Sequence, residues 1–110
     1  MRLAAELAVT TDGPEGRQAE RAEVKLAAAA RRQGGHGYAI KLLDISTRGC
    51  RIETASLLHA GTNIWLKLPG LEAIYARVAW VRGVRAGCQF ATPLHPAVVD
   101  RIVASAGRQS

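Results

Sequence analysis

The chain has 110 residues, 48% of them hydrophobic and 22% charged, with a formal charge of +6. This is the size of a single domain with a modest core, too apolar to be disordered and without an apolar run long enough to span a bilayer. The basic excess favours an anionic partner, but nucleic acid, an anionic membrane face and a small phosphate ligand fit it equally well.

Residues 1–16 carry one arginine against three acidic residues, a net of −2, which leaves 14 basic against 6 acidic groups and a net of +8 for the rest. They end in a turn-rich stretch, Thr10 to Gly16, and read as an appended, flexible segment ahead of the domain. Glu6 inside Leu3 to Val9 breaks any resemblance to a signal peptide, so a soluble cytoplasmic protein is expected. From Glu23 onward, Val24, Leu26, Ala28 and Ala30 alternate with Lys25, Ala27, Ala29 and Arg31. The alternation suits a strand, whereas the alanine content suits a helix, and these residues alone leave both open. Gln33 to Gly37 is a glycine-rich hairpin connection, and Tyr38 to Leu43 and Cys50 to Thr54 read as strands. Thr62 to Leu68 is another, with Ile64, Leu66 and Leu68 on one face, ended by Pro69-Gly70. Glu72 to Arg82 is the longest alternation and places Ala76, Val78 and Trp80 opposite Tyr75, Arg77 and Val81. A turn at Gly83 leads to Ala86 to Phe90. Short strands at this spacing predict a small barrel or sandwich. The end of the chain changes period. Val98, Val99, Ile102 and Val103 predict an amphipathic helix opened by Pro96 and closed by Gly107, with 107–110 as a tail.

Little in this chain suggests catalysis or metal. Cys50 and Cys88 lie in strand-like segments and read as buried free thiols. With His36, His59 and His95 they form no metal-ligand spacing, so neither a metal nor a cofactor is expected. There is no nucleophile–base grouping and no phosphate-cradling loop, which argues against an enzyme. Two short motifs stand out instead. Arg17 and Arg21 form an R-x-x-x-R, and Asp44, Ser46 and Gly49 form a D-x-S-x-x-G. Each has a plain structural reading. The arginines could be solvated and paired with Glu20 or Glu23, Asp44 and Ser46 could shape a turn, and Gly49 could serve the backbone alone. Arg48, Arg51, Arg82 and Arg85 read as surface charge, with a phosphate contact open to one of them, and Trp65 and Trp80 as core or wall residues, with base stacking open to an exposed indole.

In this order the two motifs resemble those of the PilZ domain, a bacterial receptor module for cyclic di-GMP. The resemblance covers residue 17 to about residue 104. Ala76 to Arg82 and Ala86 to Phe90 look like the last two strands of the family, and the terminal helix matches as well. It implies a mostly β domain over 17–106, a six-stranded antiparallel barrel with a short C-terminal helix, and it decides for a strand at Val24 to Ala30. It also implies a non-catalytic receptor, tied in the family to motility and biofilm control, in which Arg17, Arg21, Asp44, Ser46 and Gly49 hold the dinucleotide. The chemistry fits. Guanidinium forks suit phosphate oxygens and the guanine O6 and N7 atoms, and guanidinium also stacks on bases. Asp44 can accept from the donors of a guanine edge, and Ser46, two residues on in an extended chain, faces the same side. Gly49 allows close backbone approach. A downstream protein partner and a monomer or ligand-modulated dimer are expected, without membrane insertion. The alternative is a PilZ-like interaction module that binds no nucleotide. Nucleic acid is set aside because the five aromatic residues fall mostly at core-like positions, not among basic residues.

Overall fold

The computed structural model describes residues 21–108, so Arg17, the segment 1–16 and the last two residues of the tail lie outside the described part. Six strands and one helix follow in chain order: β1 (Ala22–Arg32), β2 (Tyr38–Ile45), β3 (Gly49–Glu53), β4 (Asn63–Lys67), β5 (Ile74–Arg82), β6 (Arg85–Phe90) and α1 (Pro96–Arg108). All pairings are antiparallel, and the strands close into a barrel in the order β1-β2-β3-β6-β5-β4. This is the six-stranded barrel with a C-terminal helix that the resemblance implied. Closure satisfies both ladders of every strand and removes the exposed edges that would otherwise invite aggregation.

Alternation builds the interior. Leu26 and Ala30 of β1, Ile40 and Leu42 of β2, Ile52 of β3, Ile64 and Leu66 of β4, Ala76 and Val78 of β5, and Ala86 and Phe90 of β6 are all buried. The alanine-rich β1 is a strand because β2 pairs with one side of it and β4 with the other, and that tertiary pairing overrides intrinsic propensity. α1 adds Val99, Ile102 and Ala106, spaced to share one helix face, to the same core. Its start is capped by the His95 imidazole, whose Nδ1 accepts from the Ala97 N–H at 3.0 Å.

Three bulges interrupt the alternation. β1 carries one extra residue between Glu23 and Leu26 relative to β2, and Lys25 there has φ 64°. β2 carries Leu43 as an extra residue relative to β3, and β5 carries Ala79 relative to β6. The last bulge corrects the expected face of Trp80. An extra residue after Val78 moves Trp80 to the outer wall and turns Val81 toward the core.

Across the interior, Ile45, Cys50, Cys88 and Val78 lie side by side in register. Cys50 and Cys88 are free and buried, as expected. The hydrogen bond between the two thiols, with burial adding to it, holds the Cys50 thiol well above its usual range, while the same bond holds that of Cys88 below it. The hydroxyl of Tyr38 is buried with no hydrogen-bond partner among the described residues, and burial raises its pKa. An unpaired buried hydroxyl is a net cost. Tyr38→Phe is therefore expected to leave the thermal midpoint unchanged or raise it; a fall in stability of more than about 1 kcal/mol in denaturant titration would mean that the hydroxyl has a partner.

Candidate functional site

Asp44 lies on the outside of the barrel yet is only 3% exposed. The Leu43 bulge makes this possible, since it directs Asp44 outward while Ile45 returns to the core. A carboxylate so removed from water needs cationic partners to stay ionised without a large penalty. It has two. Its Oδ1 accepts from Arg21 Nη1 at 2.7 Å, and its Oδ2 accepts from Arg51 Nε at 2.5 Å. Arg51 stands directly opposite Asp44 on β3. Arg21 reaches it because β1 begins in register with the end of β2, with Ala22 opposite Ile45 and Glu23 opposite Asp44. Both guanidinium side chains remain about half exposed, at 51% and 40%. The cluster is thus a buried anion with two cations at the solvent boundary.

The turn after Asp44 is held from within. The Ser46 N–H donates to the Gly49 carbonyl at 2.8 Å, and the Ser46 hydroxyl accepts from the N–H groups of Arg48 and Gly49 at 3.1 and 3.3 Å. Ser46 is 2% exposed, so its side chain serves the β2–β3 turn in this state, the local bonding that Ser favours. Gly49 is required by its neighbour. A Cβ there would overlap the backbone carbonyl of Cys88 on β6. On the same outer row, Arg51 is followed across the sheet by Gly87 and then Trp80. The Trp80 indole lies flat over Gly87, where a Cβ would strike its Nε1, and the Arg82 guanidinium stands 5.4 Å from the Trp80 ring centre.

The fold therefore brings Arg21 and Asp44 into contact and places Ser46 and Gly49 in the adjoining turn. Arg17 lies outside the described residues. Two residues of this wall escape a reading of the sequence. Arg51 reads as surface charge because its tie to Asp44 spans seven positions and a bulge, so only the hairpin register reveals it. Trp80 reads equally as a core or a wall residue, and on the face of Ala76 and Val78, until the Ala79 bulge is known. Among the described residues no three His, Cys, Asp or Glu side chains cluster in a way that could hold a metal ion, and no helix is long and apolar enough to cross a membrane.

A closed six-stranded antiparallel barrel with one terminal helix places the chain in the class of small β-barrel domains. The PilZ domain model matches residues 15–106, and the chain belongs to the PilZ domain family, a family of cyclic di-GMP receptors whose members are generally non-catalytic. The structure is similar to the crystal structure of the PilZ domain of CeSA from a cellulose-synthesizing bacterium. The TM-score is 0.59 at 17% sequence identity, over 83% of this chain and 99% of that one. At that identity the likeness concerns the fold. No curated protein matches the chain.

Because the Gly49 constraint comes from the β6 backbone, Gly49→Ala should destabilise the domain by about 2–3 kcal/mol in denaturant titration, the range of overpacking in a tight site. A variant that folds as well as the parent would show that β3 and β6 can part at no cost.

Proposed function

We propose that the chain is a non-catalytic receptor for cyclic di-GMP, bound on the outer wall around Asp44. The observation that carries this reading is the clamp itself: one buried carboxylate held by two half-exposed guanidinium groups, at the position where the D-x-S-x-x-G and R-x-x-x-R motifs meet. The ligand has two phosphodiesters and two guanines, which match these groups in kind. A guanine edge donates to a carboxylate, and guanidinium forks take phosphate oxygens or the O6 and N7 atoms of the base. In the described state both oxygens of Asp44 are occupied from within the chain. Binding is then an exchange. Arg21 and Arg51 turn toward phosphate or base, and the freed carboxylate takes the donors of guanine. Trp80, flat on the wall beside Arg51 and Arg82, offers a stacking surface. Arg17 and Arg21 would draw the segment before β1 over the ligand, and the altered surface would signal to a protein partner. Such a switch works only through the ligand's different affinity for the two states.

A second reading is supported by the same clamp. With Asp44 fully satisfied by Arg21 and Arg51, the cluster is also what a purely structural clip would look like in an interaction module that binds no nucleotide.

Calorimetric titration of the full chain with cyclic di-GMP, with GTP and cyclic di-AMP as controls, separates the two. Saturable binding restricted to the guanine dinucleotide is expected, and absence of heat with every ligand would favour the structural clip. Arg21→Ala should weaken binding about ten- to hundredfold, the loss of a bidentate charged contact, and should also lower the melting temperature without abolishing folding, because one oxygen of the buried Asp44 carboxylate loses its partner. Asp44→Asn should reduce the preference for cyclic di-GMP over GTP. If it abolishes folding, Asp44 is structural first.

A further inference from the structure

The five aromatic residues do not sit mainly in the core, because Trp65, Tyr75 and Trp80 are on the outer wall. Two of them form a cluster well away from the Asp44 clamp. Arg31 of β1, Trp65 of β4 and Tyr75 of β5 stand opposite one another in a single row. The next residues along the strands, Ala30, Leu66 and Ala76, are buried in the core, so this row faces out. The Trp65 and Tyr75 ring centres are 4.7 Å apart with their planes tilted by 49°, and the Arg31 guanidinium stands 5.9 Å from the Trp65 ring centre. Two residues further along β4 and β5, and on opposite sides of the aromatic pair because the strands are antiparallel, come the exposed Lys67 and Arg77. Beside Trp65 the small Ala29 leaves a groove of about 430 Å³, rimmed by Arg31, Gly37, Lys67 and Glu72. That is within the size range of ligand sites.

This pattern has a specific chemical complement. Two half-buried aromatic rings interleaved with three exposed cations suit a chain of planar rings joined by negative charges. The charge of +6 and isoelectric point of about 10.2 also exceed what a ligand with two phosphates calls for. We propose that this face binds single-stranded nucleic acid, with bases stacked on Trp65 and Tyr75 and phosphates taken by Arg31, Lys67 and Arg77. Glu72 sits on the groove rim, where it repels phosphate and accepts from exocyclic amino groups, so it turns bases rather than backbone into the groove. Lys67 donates to the Leu71 carbonyl and so ties the β4–β5 loop that carries Glu72 to the sheet. The row crosses three strands, about 10 Å. It holds few bases, so the expected affinity is micromolar. The inference does not depend on the cyclic di-GMP reading, since the groove lies on the far end of β1, on β4 and on the β4–β5 loop, and the clamp at the entry of β1 and on β2 and β3.

The test is fluorescence anisotropy of the full chain with labelled single-stranded 12-mer DNA and RNA at about 50 mM salt, the regime in which phosphate contacts are fully expressed. Saturable micromolar binding is expected, weakening by about 0.7 logarithmic unit per phosphate contact for each tenfold rise in salt and unaffected by saturating cyclic di-GMP. Trp65→Ala and Tyr75→Ala should each weaken it roughly fivefold to a hundredfold, the worth of one stacked base. Should Trp65→Ala not fold, quenching of Trp65 fluorescence by the oligonucleotide in a Trp80→Phe background gives the same information. Absence of binding overturns the proposal. Equal competition by heparin together with full affinity in Tyr75→Ala also overturns it, since the face would then be a mere charge patch. Displacement by cyclic di-GMP overturns it as well, because the two ligands would share one site.

Discussion

A carboxylate on the outer face of a barrel ordinarily faces water. Asp44 does not, and it keeps its place because Arg21 and Arg51 each hold one of its oxygens. That clamp organises its surroundings. It joins the entry of β1 to the β2–β3 hairpin, so the segment carrying R-x-x-x-R leaves the barrel at the wall that carries D-x-S-x-x-G. Taking away either arginine exposes one side of a desolvated charge, whereas a ligand that supplies donors to the carboxylate and anions to the arginines replaces both interactions at once. One arrangement can therefore hold the fold together at rest and be exchanged for a ligand.

The barrel makes this possible by breaking its own alternation. The bulges in β1 and β2 both fall next to Asp44, between it and Leu42, and the one at Ala79 sets Trp80 on the wall over Gly87. Each adds one residue to one strand of a pair and so turns a side chain from one face to the other, a recognised use of bulges near functional sites. Lys25, with its positive φ in the β1 bulge, is one place where the backbone departs from the ordinary strand region to do so.

Closure limits which contacts the barrel can offer. Among the described residues every strand is paired on both sides, so no edge is free to accept a further strand. The interior is filled and continuous with α1. Change that keeps the barrel closed is confined to side chains on the wall and to the turns. The wall is also divided. The clamp and Trp80 lie on the β2-β3-β6-β5 part, and the Trp65–Tyr75 pair on the β1-β4-β5 part, with the long β5 contributing to both.

Much of this was legible in the residues. The strands from Tyr38 onward follow from alternation and glycine-bearing turns, α1 from its period and from Pro96, and the buried Cys50 and Cys88 from their strand positions. The β1 strand was not legible in that way. Its alanines favour helix, and pairing with β2 and β4 outweighs them. The residue types of the clamp, Arg21 and Asp44, were visible as motifs, and the turn role of Ser46 was one of its two readings, but Arg51 was not visible, nor was the demand of the Cys88 carbonyl on Gly49. These depend on which residues face each other across strands. Local sequence encodes period, capping and turn chemistry, because those act over a few residues. Register and bulges are settled only when distant strands pair, and a one-residue shift sends every following side chain to the opposite face. For that reason the sequence determined a small β domain carrying the R-x-x-x-R and D-x-S-x-x-G residues, while the tertiary structure alone decided that Arg51 holds Asp44 and that Trp65 and Trp80 face outward.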